Sequence, residues 1–463
     1  MEEKLFDEFQ EVSAKAWKQK IQYELKGADY NDNLVWESPE GIKVKPFYHL
    51  DDLRSVDRNI QPRPISWKIA QEIFVAHATK SNKKALNALQ RGAESLIFTI
   101  PSEHINLEEL LANIDLDVVN LHFNFQFLST AYIKKQLKFL EGYKSNCYLH
   151  LDTLGHLART GNWYSQEGQD QDTLSEILNS AKGQENRNVL SVDVALYQNA
   201  GANIVQQLGY AMAHVNEYLN IYDPSVVQCP VFKISVGGNY FFEIAKIRAL
   251  RKLWAVLASE YDMSSDCHIM ATPSKRNKTL YAYNINMLRT TSECMAAILG
   301  GADTVCNLPY DAIYHKDNEF GERIARNQLV LLKNESYFNM VDNPAKGSYY
   351  IEALTEEIAK KALQFFKTIE SQDGFLKQLK SHSIQKKIRE SAQKEQQHFD
   401  ASKEILVGTN AYESSEDLMK DNLEMYPFVK KNARKTLIEP IIESRLSEKI
   451  ERKRLKDEGW IGN

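Results

Sequence analysis

The sequence lacks the features that mark membrane-spanning, disulfide-stabilised and zinc-binding proteins. It contains no run of about 18 consecutive apolar residues, so no helix is expected to span a bilayer. There are only five cysteines, at 147, 229, 267, 294 and 306, and none forms a C-x-x-C pair, which argues against disulfides and zinc sites. P-loops, H-E-x-x-H, G-x-S-x-G and carboxylate-rich metal loops are also missing. We therefore expect no bound metal.

The sequence also has no excess of positive charge. The 57 Lys and Arg residues are outnumbered by 62 Asp and Glu residues, which gives a formal net charge of −5. This balance does not favour nucleic acid or an anionic membrane as a partner. Residues 1–7 contain neither the apolar stretch of a signal peptide nor the Arg excess of a mitochondrial presequence. These absences predict a cytoplasmic protein.

Eight short apolar runs alternate with longer segments of helical period between residues 66 and 335. No two-residue hairpin turn separates them, so we expect parallel strands joined by crossover helices. Eight such units in series are typical of an α/β protein with a (β/α)8 TIM barrel, whereas an open doubly wound sheet has a Gly-rich first turn. The candidate strands lie at 66–75, 93–100, 118–125, 147–154, 189–196, 231–236, 267–271 and 303–308.

The segments on either side of the predicted barrel differ from it in pattern. Residues 1–65 predict an arm with an amphipathic helix near 7–25 and a hairpin through 34–36 and 42–44. Residues 336–463 predict a helical extension that packs back on the barrel. Its last part, 430–458, is dense in charge, which indicates either a solvated, flexible end or a segment that docks on a partner.

Polar residues alternate along three of the candidate strands. Because the outer face of a barrel strand packs on helices, these side chains are expected to point into the barrel. They predict a partly polar interior, which is either a core network of hydrogen bonds or a substrate channel. The residues are Asn120, His122, Asn124 and Gln126, then His150 and Asp152, then Ser191 and Asp193.

Further candidates follow the strands, where TIM barrels carry their active sites. Asp152, His156 and Arg159 share one loop. They could act as a base, its orienting group and an anion clamp, or they could have a structural role as a helix cap. Residues 237–239 (Gly-Gly-Asn) suit either an anion site or a tight turn with Asn239 as the N-cap. The candidate interior or ligand-facing residues are His122, Gln126, His150, Asp152, Asp193, Tyr197 and Asn239.

Several strings between residues 15 and 412 resemble the methylmalonyl-CoA mutase family. Trp17-Lys18, residues 25–30 (LKGADY) and residues 40–48 (EGIKVKPFY) resemble its N-terminal arm. Residues 199–202 (NAGA), 208–213 (LGYAMA) and 239–254 (NYFFEIAKIRALRKLW) resemble its strand-five and helix-six segments. Further similar strings lie at 323–327 (RIARN), 341–344 (VDNP), 347–355 (GSYYIEALT) and 407–410 (VGTN).

The resemblance implies a substrate-binding barrel. In that family, adenosylcobalamin-dependent radical chemistry interconverts methylmalonyl-CoA and succinyl-CoA, and the acyl-CoA is threaded along the barrel axis. The cofactor lies on a C-terminal flavodoxin-like domain whose Asp-x-His-x-x-Gly motif supplies a cobalt ligand. That motif does not occur in this sequence, and only about 50 residues follow Asn410. The resemblance therefore implies that this chain binds no cobalamin.

The family's catalytic residues also differ here. Its strand-five motif Gly-Tyr-His-Met is replaced by Val-Ala-Leu-Tyr at 194–197, so Leu196 stands at the position of the histidine. A leucine side chain neither forms hydrogen bonds nor transfers a proton. In the loop at 101–106 the family's tyrosine is absent, and Glu103 would repel an acidic substrate. No catalytic residue is therefore expected on this chain.

This pattern resembles the small subunit of a heterodimeric methylmalonyl-CoA mutase, an isomerase of propionate metabolism. It implies a non-catalytic chain that stabilises a catalytic large subunit, and adenosylcobalamin is expected on that partner. The alternative is a barrel that still binds acyl-CoA as an enzyme or regulatory sensor, with the cobalamin domain on a separate chain.

Overall fold

The computed structural model describes residues 8–10, 12–53, 66–184, 186–430 and 434–460. The N-terminal arm contains two helices, α1 (Ala14–Glu24) and α2 (Tyr30–Leu34), and the predicted hairpin of β1 (Trp36–Glu37) and β2 (Lys43–Val44). The start of the predicted arm helix, at residue 7, lies outside the described residues. α1 begins after Ser13, whose hydroxyl accepts a hydrogen bond from the Ala16 N–H. None of its residues is buried.

Eight parallel strands close into a barrel, which confirms the predicted α/β fold with a (β/α)8 TIM barrel. Each strand pairs with the next along the chain, and the last pairs with the first. Because of this closure, no barrel strand is left with an unpaired edge. The strands are β3 (Lys68–Phe74), β4 (Ser95–Ile100), β5 (Asn120–Phe125), β6 (Cys147–Leu151), β7 (Arg187–Asp193), β8 (Val231–Val236), β9 (His268–Pro273) and β10 (Thr304–Cys306).

The helices surround the barrel and continue beyond it. Among them, α9 begins with a capping box, in which the side chains of Asn203 and Gln206 each accept a backbone N–H of the other residue. The helices are α3 (Ala78–Gln90), α4 (Leu107–Leu110), α5 (Thr130–Phe139), α6 (Thr153–Thr160), α7 (Glu167–Ala181), α8 (Ala195–Asn199), α9 (Ile204–Ile221), α10 (Tyr240–Ser259), α11 (Ile285–Gly300), α12 (Glu319–Asn334), α13 (Tyr349–Glu370), α14 (Gly374–Lys380), α15 (Ser383–Asp400) and α16 (Glu448–Asp457).

The fourth and fifth barrel strands end earlier than the sequence predicts. Asp152 is the N-cap of α6, because its carboxylate accepts the Gly155 N–H at 2.7 Å. Leu196 and Tyr197 lie in α8 rather than in a strand. A short apolar run does not distinguish a buried strand from a buried helical turn, which explains both differences.

The C-terminal strap, residues 434–447, crosses the loops that follow the barrel strands. Backbone hydrogen bonds attach it in turn to Gly161, Asn199 and Arg276. It leads into α16, in which Glu451 and Leu455 are buried. The described part of the charge-rich run at 430–458 is therefore packed against the barrel loops.

No helix in the described ranges has both the length and the apolar character needed to cross a membrane.

The five cysteines are all free thiols, four of them buried and Cys229 half-buried. Burial raises the pKa of Cys147 to about 12, and it also raises the pKa values of Cys229, Cys294 and Cys306. Since the thiolate is the reactive form, we expect the folded protein to react negligibly with Ellman's reagent at pH 7.5, and all five thiols to react once it is unfolded. Rapid reaction of two or more thiols in the native protein would contradict this burial.

Candidate functional site

Four rings in contact with one another fill the centre of the barrel, and we call them the histidine–tyrosine plug: His122, Tyr148, His150 and His268. All four are buried. The ring centroids of His122 and Tyr148 are 4.5 Å apart, and those of Tyr148 and His268 are 4.1 Å apart. Strands β5 and β9, which carry His122 and His268, lie on opposite sides of the barrel, and their ring centroids are 5.5 Å apart. The plug therefore spans the barrel axis.

Two neighbouring aromatic residues lie outside the barrel rather than in the plug. Phe123 and Phe125 alternate with the inward residues of β5 and join the hydrophobic layer beneath the helices. The ring centroid of Phe123 is 5.9 Å from that of Phe98, which points outward from β4. Both phenylalanines thus connect the strands to the surrounding helices.

Two plug histidines form a hydrogen-bonded pair. His122 Nδ1 and His150 Nε2 are 3.0 Å apart. Burial, together with the neighbouring histidines and Lys233, holds the pKa values of both rings well below the usual value, so both are neutral at pH 7. Their other ring nitrogens have no hydrogen-bond partner among the described residues. His150 has a φ of +44°, where the register between β6 and β7 shifts, so its backbone is strained at this point.

A second network joins Asp152, His214 and Tyr197 outside the barrel. His214 Nε2 lies 2.9 Å from Asp152 Oδ1, and its Nδ1 lies 2.8 Å from the Tyr197 hydroxyl. Asp152 also accepts the Tyr218 hydroxyl at 2.7 Å and the Asp193 N–H at 2.9 Å. Burial alone would raise the pKa of Asp152, but His214 and the hydrogen bonds lower it to about 2. This network fastens the ends of β6 and β7 to α9.

Tyr197 was expected to face the barrel interior or a ligand, but it packs outward, within the layer between the barrel and α9. Its side chain is fully buried, and its ring centroid lies 5.4 Å from that of Tyr210 on α9 and 6.3 Å from that of Phe375 on α14. The preceding Leu196, at the position of the family's histidine, is also fully buried.

We expect the substitution Tyr197→Phe to lower the free energy of unfolding by about 1–2 kcal/mol, because it removes only the hydrogen bond to His214. Urea denaturation measures this loss. The same variant is expected to leave the activity of any complex that contains the chain unchanged. A large loss of activity at unchanged stability would instead assign Tyr197 to ligand binding.

The C-terminal mouth of the barrel holds several charged side chains. Lys233, on β8, donates a hydrogen bond to Asn124 Oδ1 on β5 at 3.0 Å. Arg159 pairs with Asp193 at 2.5 Å and with Glu443 of the C-terminal strap at 2.9 Å. Lys233 was not among the expected interior residues, although it alternates with Val231 and Ser235 on β8, a period of two that indicates a shared strand face.

The remaining sequence candidates lie at the rim of the barrel. Gln126 is exposed just beyond β5. Asn239 is exposed at the N-cap position of α10, but its side chain makes no capping hydrogen bond. Gly237, before it, packs so closely that a Cβ atom would lie 2.9 Å from Gln198 Nε2. His156 stacks on Tyr164 with ring centroids 3.6 Å apart, and burial lowers the pKa of His156 to about 4.

A pocket of about 540 Å³ lies between the C-terminal strap, residues 424–430 and the loops that follow β7, β9 and β10. Its lining combines apolar side chains such as Ile313 and Phe428 with charged ones such as Lys275 and Glu424. In the described ranges, no group of three or more His, Cys, Asp or Glu residues is placed to hold a metal ion.

Comparison with known proteins agrees with the fold and with the resemblance in sequence. Residues 102–456 match the family model described as methylmalonyl-CoA mutase. The chain is also 34% identical to the methylmalonyl-CoA mutase small subunit of Porphyromonas gingivalis, over 91% of this chain and 73% of that protein. The chain belongs to the methylmalonyl-CoA mutase family.

Within the methylmalonyl-CoA mutase family, the chain resembles both kinds of subunit. It is 30% identical to the small subunit of Streptomyces virginiae, over 75% of this chain and 59% of that protein. It is 25% identical to the large subunit from the same organism, over 89% of this chain and 64% of that protein. Among solved structures, dihydropteroate synthase from Thermus thermophilus aligns with 60% of this chain and 95% of that chain at 13% identity, with a TM-score of only 0.31.

Proposed function

We propose that this chain is the small, non-catalytic subunit of a heterodimeric, adenosylcobalamin-dependent methylmalonyl-CoA mutase, and that it stabilises the catalytic large subunit in the cytoplasm. The observation that carries this proposal is the histidine–tyrosine plug. The centroids of its contacting rings are 4.1–6.4 Å apart across the axis, and such close packing would block a pantetheine arm between the strands. A family member that threads acyl-CoA along its barrel needs that passage.

The position of the family's catalytic histidine supports the same conclusion. Leu196 is fully buried in α8 and carries no group that can donate or accept a proton. The adjacent Tyr197 is held by His214 inside the protein. The described residues at this point therefore supply packing rather than acid–base chemistry.

The histidines on the barrel axis also do not fit a role as cobalt ligand. Such a ligand must present an accessible ring nitrogen, but the histidines on the barrel axis are buried in stacked contacts. The loops above the axis are crossed by the C-terminal strap. We accordingly assign adenosylcobalamin to the large subunit, and no reaction step to this chain.

The exposure of helix α1 favours the presence of a protein partner. An isolated helix of 11 residues is marginally stable in water, and tertiary packing normally stabilises such helices. None of its residues is buried, and Trp17 and Tyr23 are 51% and 81% exposed. Large aromatic side chains are enriched at the centres of protein interfaces. A large subunit that covers α1 would supply the missing packing.

Co-expression with a family large subunit tests the proposal. We expect both chains to elute from a size-exclusion column as a 1:1 complex, and the large subunit to melt at a higher temperature in the complex than alone. An obligate pair should bury about 2,000 Å² or more of surface. Separate elution of the two chains at micromolar concentration would refute the proposal.

A second candidate function is that of an acyl-CoA-binding sensor, or of an enzyme served by a cobalamin domain on another chain. The observation that favours it is the 540 Å³ pocket above the barrel loops, which has Lys275 and Lys430 in its lining. Calorimetric titration of the isolated chain with methylmalonyl-CoA and succinyl-CoA separates the two candidates. Saturable binding at micromolar ligand supports the sensor, and absence of heat supports the structural subunit.

A further inference from the structure

The histidine–tyrosine plug concentrates three imidazole rings inside the barrel. The ring centroid of His122 lies 5.1 Å from that of His150 and 5.5 Å from that of His268. All three side chains are buried, and His122 is buried completely. A histidine in water gains a proton at about pH 6.5, so its charge normally changes just below neutral pH. A proton taken up in the plug would instead be held away from water.

The hydrogen bond between His122 and His150 requires that one of the two facing nitrogens carries no proton. His122 Nδ1 and His150 Nε2 are 3.0 Å apart, so one of them donates and the other accepts. If both rings were protonated, each would turn an N–H toward the other and the bond would be lost. The outer nitrogens, His122 Nε2 and His150 Nδ1, have no hydrogen-bond partner in the part of the chain that the structure describes. An added proton there would be a buried donor without an acceptor.

The same pair lies where the barrel has a short backbone ladder. Every residue of β5 pairs with a residue of β4, but the register with β6 comprises only Leu121–Cys147 and His122–Tyr148. On its other side, β6 shifts register against β7 in the stretch that contains His150, whose φ is +44°. Such a shift disrupts the ladder locally. The His122–His150 hydrogen bond therefore adds a side-chain link between β5 and β6 beyond the end of their ladder.

The charged groups around the pair disfavour a further positive charge. The titratable groups that share the barrel interior with the pair are Lys68 and Glu72 on β3, Tyr148 on β6, Asp193 on β7, Lys233 on β8, His268 on β9 and Cys306 on β10. Burial lowers the pKa values of both rings, and Lys233 and the neighbouring histidines lower them further. The Asp193 carboxylate is paired with Arg159 and also interacts with the charge of Lys233. An added proton on either ring would therefore be repelled by Lys233.

We propose that the histidine–tyrosine plug is an acid-sensitive lock on the barrel. While both rings are neutral, the His122–His150 hydrogen bond holds the inner faces of β5 and β6 together. Protonation of the pair breaks this bond and adds positive charge beside Lys233, so the two strands separate and the barrel loosens. The lock belongs to this barrel itself. It therefore goes beyond the proposed structural role and does not depend on the large subunit.

The direction of the pH dependence follows from a comparison of the folded and unfolded chains. Unfolding gives His122 and His150 the ordinary histidine pKa of 6.5, whereas the folded barrel holds both pKa values well below it. The unfolded state therefore binds more protons below pH 6.5, and stability falls with the pH. The contribution of the neutral pair is complete above about pH 7.5 and is lost as the pH falls from 6.5 toward the pKa values of the folded state. Each histidine should raise the unfolding constant about eightfold between pH 6 and pH 5.

Urea denaturation at pH values from 8 to 5 tests the lock with two variants. His122→Phe keeps a ring against Tyr148 but cannot be protonated, and His150→Asn places a residue that tolerates positive φ at the strained position. Each variant lacks one of the two histidines, so its unfolding constant should rise about eightfold less than that of the wild type between pH 6 and pH 5. Either variant suffices if the other does not fold. His104→Gln, at an exposed histidine between β4 and α4, is the matched control and should show the wild-type pH dependence.

Thiol labelling of the wild-type chain is a second measurement, and it needs no variant. Cys306 is buried inside the barrel, in the same cluster as Tyr148. 4,4′-Dithiodipyridine labels thiols under acidic conditions, and mass spectrometry identifies the labelled cysteine. Relative to the urea-unfolded chain at the same pH, the labelling rate of Cys306 should rise at least about tenfold from pH 7 to pH 5. The comparison at equal pH removes the change in thiol reactivity itself.

Three results would overturn the proposal. The first is that both histidine variants keep the wild-type pH dependence of unfolding. The second is that His104→Gln reduces this dependence as much as they do. The third is that Cys306 is as well protected from labelling at pH 5 as at pH 7.

Discussion

Replacing the exposed aromatic side chains of α1, by Trp17→Ala together with Tyr23→Ala, is expected to weaken the complex with the large subunit at least about 30-fold. Aromatic residues at the centre of an interface commonly contribute about 2 kcal/mol or more each, and such a loss corresponds to about 30-fold in Kd. Analytical ultracentrifugation or surface plasmon resonance with the purified large subunit measures the change.

The same double variant should barely affect the folded chain by itself. Trp17 makes an edge contact with Phe47, at 6.1 Å between ring centroids, and α1 has no buried residue. We therefore expect the free energy of unfolding to change by less than about 0.5 kcal/mol. Lys15→Ala, on the same helix, serves as a control and should leave Kd unchanged within about threefold. Unchanged affinity of the aromatic double variant would remove α1 from the interface.

The second large effect is expected for Asp152→Asn, which should lower the free energy of unfolding by about 3–5 kcal/mol. Besides His214, this carboxylate accepts three hydrogen bonds, from the Gly155 and Asp193 N–H groups and from the Tyr218 hydroxyl. An asparagine amide must turn an N–H₂ group toward some of them, which leaves buried donors without acceptors. Urea denaturation at pH 7 measures the loss.

A matched control and a pH series sharpen this test. Asp172→Asn, at an exposed position of α7, should change stability by less than about 0.5 kcal/mol. The pKa of Asp152 falls from 3.8 to about 2 on folding, so its contribution is complete above pH 4 and is lost as the pH falls toward 2. The Asp152→Asn variant should lack this part of the acid destabilisation. A variant as stable as the wild type would show that the network is dispensable.

The sequence was sufficient to predict the barrel, because strand and helix periods alternate eight times between residues 66 and 335. The inward positions of His122 and His150 followed from the period of two along a strand. The same rule failed for Tyr197. The chain leaves β7 after Asp193 and enters α8, so strand alternation no longer describes where the side chain points.

The plug and the hydrogen bond of Lys233 depend on contacts across the barrel. His122 and His268 are 146 positions apart in the sequence, and whether their rings meet depends on the stagger of strands on opposite sides. The hydrogen bond from Lys233 to Asn124 likewise joins residues 109 positions apart, which a local pattern does not reveal. The sequence also could not predict that α1 has no buried residue. An amphipathic pattern predicts that a helix packs on one face, but not which surface it packs against.

If this barrel supports a mutase without binding its substrate, the complex should contain one acyl-CoA site rather than two. Equilibrium dialysis of the purified heterodimer with radiolabelled methylmalonyl-CoA should give one site per heterodimer, located on the large subunit. Two sites per heterodimer would show that this barrel binds the substrate as well, and that it is not a purely structural subunit.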